Sequence, residues 1–272
     1  MYDPDITGTS KGALAQICRA LSPYKNDIVL AGGWVPYFLT RGFFDHCGSI
    51  DVDFVLKPAI AERYERIEEI IRGLGYQPLE NMFSFGRFIR SSRSGKDHWI
   101  KVDFLTEPED ARSLLAAGGL PFHEVQEDLR ALISEGSSIV FTHNQEMEFE
   151  AVTPQGYEVR ASVRCADMVG SLSLKGLVLY REKDKDSYDI YAIAGFYNGG
   201  PKQAARAFTE AVVDKGGPKE ITLKGIEEIK DAFSSATAQG PAAVSKFIEN
   251  EDAAVDAYLR MATFLEELDL NK

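Results

Sequence analysis

Residues 31–56 read AGGWVPYFLTRGFFDHCGSIDVDFVL. Gly32 and Gly33 open this stretch, and two aspartates one residue apart, Asp51 and Asp53, close it inside an apolar run. In an extended strand alternate side chains share a face, so Asp51 and Asp53 lie together while Val52 and Phe54 point the other way. Two neighbouring carboxylates repel one another. Buried without a cation, one of them stays protonated, whereas a hard divalent ion such as Mg2+ keeps both ionised. The pattern predicts a strand with one acidic face and one core face.

Working outward, "DIVLA" (27–31) predicts a short buried strand, and "WVPYFLTRG" (34–42) a helix that tolerates Pro36 in its first turn. "TSKGALAQICRALSPY" (9–24) sets Leu14, Ile17, Cys18 and Leu21 at helical spacing, with Thr9 or Ser10 as the cap. A strong helix is predicted over "AIAERYERIEEIIRGLG" (59–75), with Ile60, Tyr64, Ile67, Ile70 and Ile71 as its apolar stripe and Gly73 and Gly75 at its end. "MFSFGRFIR" (82–90) and "HWIKVDFL" (98–105) read as two strands joined by "SSRSGKD". In the second of them Trp99, Lys101 and Asp103 alternate with Ile100, Val102 and Phe104, which puts a third carboxylate on a polar strand face. Residues 106–137 show no clear pattern. "SSIVFTHN" (137–144), "MEFEAVT" (147–153) and "YEVRASV" (157–163) predict short strands, with a turn at "TPQGY". From Arg164 onward the periodicity is helical. The expectation is an α+β chain, with a mixed-sheet domain over 1–164 and an α-helical domain over 165–272.

The chain has 272 residues, 44% hydrophobic and 26% charged, as globular proteins do. Its net charge of −12 argues against indiscriminate binding to nucleic acid or anionic membranes, while leaving room for a local basic patch. The best such patch is "GRFIRSSRSGKDHWIK", with Arg87, Arg90, Arg93, Lys96 and Lys101 beside Phe88 and Trp99. No apolar run reaches the roughly 20 residues that span a bilayer, and the N-terminus lacks a signal-peptide layout, so a soluble cytoplasmic protein without a membrane partner is expected. Cys18, Cys47 and Cys165 are odd in number and far apart, which indicates neither a disulfide framework nor a zinc site. The four histidines show no ligand spacing and read as structural.

A strand, a Gly-Gly pair opening a helix, Ser-x-Asp-x-Asp on the next strand and a later strand aspartate together resemble the nucleotidyltransferase fold of polymerase-beta-like enzymes. The matching residues are Gly32, Gly33, Ser49, Asp51, Asp53 and Asp103. The resemblance implies that the glycines and Ser49 meet nucleotide phosphates, and that Asp51, Asp53 and Asp103 hold Mg2+ or Mn2+ with Asp103 as the base. The implied reaction moves a nucleotide monophosphate from an NTP to a hydroxyl. Gly33 and Asp51 are 51 − 33 = 18 residues apart. That long spacing, with "LKGLVLYREKDKDSYDIYAI" downstream, is similar to the AbiEii/AbiGii-type abortive-infection nucleotidyltransferases, which include toxins of toxin-antitoxin pairs. By that likeness Lys175, Lys185, Asp186 and Asp189 join the site, RNA or tRNA is the acceptor, and a cognate antitoxin protein is a partner. Lys175 and Asp189 stand 189 − 175 = 14 residues apart, about 21 Å on one unbroken helix, so sharing a ligand requires a break near Lys183. Cys47 stands where the subfamily often has Arg or Lys, and Trp34 where a small hydroxyl residue is common. Two alternatives remain: a small-molecule transferase of the aminoglycoside type, and a non-catalytic binding module.

Overall fold

The computed structural model describes residues 1–118 and 121–269. It shows a mixed sheet and a set of helices, arranged as two compact units. One unit comprises Tyr2–Trp34 and Gly48–Cys165; the other comprises Met1, Val35–Cys47 and Ala166–Lys272. The segment Val35–Cys47 thus sorts with the helices, although it lies within the N-terminal part of the chain.

The sheet unit begins with α1 (Pro4–Ala20), followed by a short 3-10 turn at Ser22–Tyr24, β1 (Ile28–Ala31) and the start of α2 (Trp34–Leu39). Then come β2 (Val52–Leu56), α3 (Ile67–Gly73), β3 (Gln77–Pro78), β4 (Ser84–Arg90), β5 (Asp97–Thr106) and α4 (Ala111–Ala116). The hairpin strands β6 (Phe122–Gln126) and β7 (Leu129–Ile133) precede β8 (Asn144–Val152) and β9 (Glu158–Ala166). Strand order is β3-β4-β5-β2-β1-β9-β8, and β7 pairs with the end of β5 and carries β6. β2 and β5 run parallel, with Val52 opposite Val102, Asp53 opposite Asp103 and Phe54 opposite Phe104. Antiparallel β1 flanks β2, and antiparallel β4 flanks β5. Val52, Phe54, Ile100, Val102 and Phe104 are all sealed from solvent and form the core face. Burying a side chain of this size contributes about 1.5–3 kcal/mol, and every core residue fixes its strand neighbours on the opposite face.

Three sequence expectations are corrected. Asp3, not Thr9 or Ser10, caps α1: Pro4 supplies the first helical residue and the Asp3 carboxylate accepts from the Asp5 amide. The helix predicted from residue 59 starts only at Ile67, and Tyr64 is fully exposed. Tertiary bonds override its periodicity: the Ile60 amide donates to Val125, and the Tyr24 hydroxyl bridges the Arg63 amide and the Glu65 carbonyl. The segment from Ser137 is a 3-10 turn through Phe141, not a strand; it packs Ile139 and Val140 into the core without a ladder partner.

The helical unit contains α5 (Met168–Leu177), a 3-10 turn at Leu179–Arg181, α6 (Asp184–Phe196), a second turn at Tyr197–Gly199, α7 (Pro201–Lys215), α8 (Lys219–Ala232), α9 (Gln239–Ile248) and α10 (Asp252–Glu267). α6 is its centre, packed against α5, α7, α9 and α10. α5 crosses α8 at glycine: a Cβ on Gly176 would lie 2.0 Å from the Gly225 carbonyl oxygen. No helix among the described residues is long and apolar enough to cross a membrane.

Candidate functional site

In the sheet unit, register brings the strand aspartates together. Asp53 and Asp103 are Cα partners on adjacent parallel strands, and Asp51 lies just before β2 on the same alternation. The Lys101 ammonium sits 2.7 Å from Oδ2 of Asp103 and 3.9 Å from Oδ2 of Asp51. Burial disfavours the charged form of Lys101, but Asp103, Asp51 and Asp53 outweigh it and hold its pKa above the usual lysine range. The Ser84 hydroxyl donates to Oδ1 of Asp103, and the Asn81 side chain braces Ser84. Lys101, placed by the sequence in an outward basic patch, therefore belongs to the carboxylate face. Arg87 also leaves that patch, since it lies on the opposite strand face and donates to the Leu74 carbonyl.

Gly32 is the second element of this face. Its φ of +67° suits glycine, and a Cβ there would come 2.0 Å from Oδ2 of Asp53. The backbone turn after β1 and the Asp53 carboxylate are thus in direct contact. Gly33 follows at the mouth of α2, and Ser49 is buried. Trp34 is buried as well: its indole N–H donates to Ser10 at 3.2 Å, and the ring lies against Gly48. A sealed indole whose N–H is bonded to Ser10 serves packing.

Among the described residues no three carboxylate, imidazole or thiol groups converge as ready metal ligands. The donor chemistry nevertheless fits a hard divalent ion: Asp51, Asp53 and Asp103 offer only oxygen, share one sheet face, and already draw in one stand-in cation, Lys101.

A separate cluster lies inside the helical unit. After α5, Glu182 adopts φ +52° and Lys183 is extended, so the chain turns back before α6. The break needed near Lys183 is therefore present. It brings Nζ of Lys175 to 2.6 Å from Oδ2 of Asp189 and 3.1 Å from Oδ1 of Asp186. The Lys175 contact to Oδ2 is not aligned as a hydrogen bond. Lys185 pairs with Oδ1 of Asp189, and Arg181 reaches Asp186 at 3.2 Å. Asp189 is wholly buried; burial alone would raise its pKa, but Lys175, Lys185 and His46 overcome this and hold it well below the usual carboxylate range. For Lys175 burial likewise opposes charge, and Asp189 and Asp186 outweigh it. Its ammonium is committed to these carboxylates rather than presented to solvent.

His46 joins this cluster, against its reading as a scattered structural histidine. Nε2 lies 2.8 Å from Oδ1 of Asp189, and the ring stacks on Tyr188 at 4.9 Å between centroids. Burial pushes its pKa down to about 4, against the pull of the Asp189 bond, so at neutral pH the imidazole is uncharged and donates from Nε2. The neighbouring Cys47 amide donates to the Tyr188 hydroxyl. Local spacing gave no signal for His46, because its partner Asp189 lies 143 residues away. Compared with protein-family models, with curated proteins and with solved structures, the chain matches none.

Proposed function

We propose that the chain is a nucleotidyltransferase with the polymerase-beta-like fold, of the AbiEii/AbiGii type, moving a nucleotide monophosphate from an NTP to a hydroxyl of RNA, tRNA being the leading acceptor. The observation that carries this reading is the pairing of Asp53 with Asp103 on adjacent parallel strands, with Asp53 pressed against Gly32. Two carboxylates and a glycine turn brought together across three strands serve polyphosphate chemistry better than they serve stability, because like charges in contact cost free energy. Asp51, Asp53 and Asp103 would hold Mg2+, which when bound offsets the charge of the triphosphate and of the leaving pyrophosphate. Asp103 takes the proton of the attacking hydroxyl. Its Oδ1 is held by Ser84, which leaves Oδ2, now paired with Lys101, as the accepting atom. The hydroxyl oxygen bonds to the alpha phosphorus, the bond to the bridging oxygen breaks, and pyrophosphate departs. Lys175, Lys185, Asp186 and Asp189 keep the role given by resemblance, a set in the helical unit required for transfer. A toxin role with a cognate antitoxin, and a cytoplasmic setting, belong to the same reading.

The test incubates the protein with each alpha-labelled NTP, Mg2+ and a pool of tRNA, beside a variant carrying Asp51→Ala and Asp53→Ala. Label in RNA that disappears with the variant is the expected result. Label on a small hydroxylated amine but none on RNA would replace the acceptor, and tight NTP binding with no turnover would replace the enzyme with a binding module.

A further inference from the structure

The carboxylate face of the sheet unit continues along β4 and β5 into an exposed aromatic pair. Ser84, Gly86, Phe88 and Arg90 of β4 face Asp103, Lys101, Trp99 and Asp97 of β5, so by alternation all eight share the side that carries Asp103. Phe88 is 68% exposed and Trp99 39% exposed, with ring centroids 4.7 Å apart. Large aromatics left in water on a strand face cost solvation and attract partners. Gly86 is built to seat one of them: a Cβ there would fall 2.0 Å from the Trp99 ring, so the indole lies flat across the strand. Next on the same face, Arg90 also lines a cavity of about 790 Å3 with Lys11 and Arg93. Among the described residues Arg90 and Arg93 make no ion pair; of the three carboxylates that line the cavity, Asp5 is taken up by Ser91, Ser94 and His98, and Glu150 and Glu158 stand on β8 and β9. With Arg87 on the other strand face and Lys101 paired to the carboxylates, the far end of the hairpin keeps Arg90, Arg93 and Lys96 against Asp97, 3 − 1 = +2, in a chain of net charge −12.

We infer that this shelf seats the unpaired end of a polynucleotide acceptor, with bases stacked on Phe88 and Trp99 and phosphates on Arg90 and Arg93. Trp99 and Asp103 are four residues apart on one strand, about 14 Å, which four stacked nucleotides span at about 3.4 Å each. The stacked bases therefore lie a few nucleotides behind a terminal hydroxyl placed at the carboxylates. Inside a duplex each base face is covered by its stacked neighbours, so a duplex offers the shelf no run of separated bases. The inference rests on the transferase reading for the identity of the carboxylate face, but the shelf binds without nucleotide and is tested without it.

The full chain is titrated, with no NTP, against a single-stranded RNA of about ten nucleotides, the DNA of the same sequence and a blunt duplex of both strands. The chain has two tryptophans and Trp34 is sealed, so quenching of emission reports Trp99. Both single strands should quench, with the ratio of their affinities naming the preferred sugar, and the duplex should not. Phe88→Ala with Trp99→Ala, read by anisotropy of labelled oligonucleotide, should weaken binding at least about fivefold. Arg90→Ala with Arg93→Ala should lower the salt slope of binding by about 1.4, two phosphates at about 0.7 each. Equal binding of duplex and single strand, or unchanged affinity in both double variants with native circular dichroism, overturns the shelf even if label transfer occurs. Shelf-dependent binding without label transfer leaves the shelf standing and removes the transferase reading instead.

Discussion

Gly32 is the residue on which the carboxylate face is most sensitive. At φ +67° an alanine costs about 1–2 kcal/mol, and its methyl group would occupy the space of the Asp53 carboxylate. Gly32→Ala should therefore leave a folded protein, with a melting temperature only a few degrees lower, while cutting transfer by about 100-fold through displacement of Asp53. Lys175 carries stability as well. Removing its charge leaves Asp189 buried with one cation fewer, so Lys175→Met should destabilise by about 3–5 kcal/mol in urea unfolding, and adding Asp189→Asn should restore part of that loss. His46 gives stability a pH dependence of definite sign. Its folded pKa, near 4, lies below the unfolded value of about 6.5. The unfolded state takes up the proton first, so stability falls as pH drops from about 6.5 to about 4, by about 3 kcal/mol in total. Asp189, Lys175 and Lys185 face the imidazole; the Asp189 contribution is present above the ordinary carboxylate pKa and is lost only at lower pH. His46→Gln keeps a donor for Asp189 and cannot titrate, so the difference between the two unfolding curves isolates this slope. A parallel pH dependence in both proteins would remove His46 from the explanation.

At the scale of elements, the turn between α5 and α6 decides whether the lysine–aspartate cluster exists. Glu182 holds a left-handed conformation, and its amide donates to the Leu179 carbonyl. Proline satisfies neither requirement, so Glu182→Pro should cost about 3 kcal/mol or more and separate Lys175 from Asp189. Unfolding by urea measures the first effect, and loss of the energetic coupling between those two residues in a double-mutant cycle measures the second. On the sheet side, the parallel pairing of β2 with β5 does the equivalent work. A one-residue slip would place Asp53 opposite Val102 and turn one strand's apolar set out of the core, so burial of Val52, Phe54, Val102 and Phe104 locks the aspartates together.

For the whole molecule, the sequence boundary at 164 is not where an independent fragment ends. Phe44 stacks on Phe196 at 4.3 Å and meets Tyr188 and Tyr191, and His46 reaches Asp189, all within the helical unit. A fragment of residues 1–164 would leave these groups without partners. It should be expressed as an aggregated or poorly structured chain, checked by size exclusion and near-ultraviolet circular dichroism, and a compact monomer would show that Val35–Cys47 is dispensable to the sheet. What the sequence determined by itself was whatever local periodicity and turn chemistry dictate: β1, β2 and the β4–β5 hairpin, the helical character beyond Arg164, the shared face of Asp51 and Asp53, and the need for a break near Lys183. Tertiary structure decided the rest, because those outcomes depend on bonds between residues far apart in the chain. Tyr24 and Val125 kept residues 60–66 from continuing a helix that their spacing favoured. Lys101 moved from a basic patch to the carboxylates because strand alternation, which the sequence shows, acquires charged neighbours only when β2 lies beside β5. His46 became a partner of Asp189, 143 residues away, through packing that no local pattern encodes.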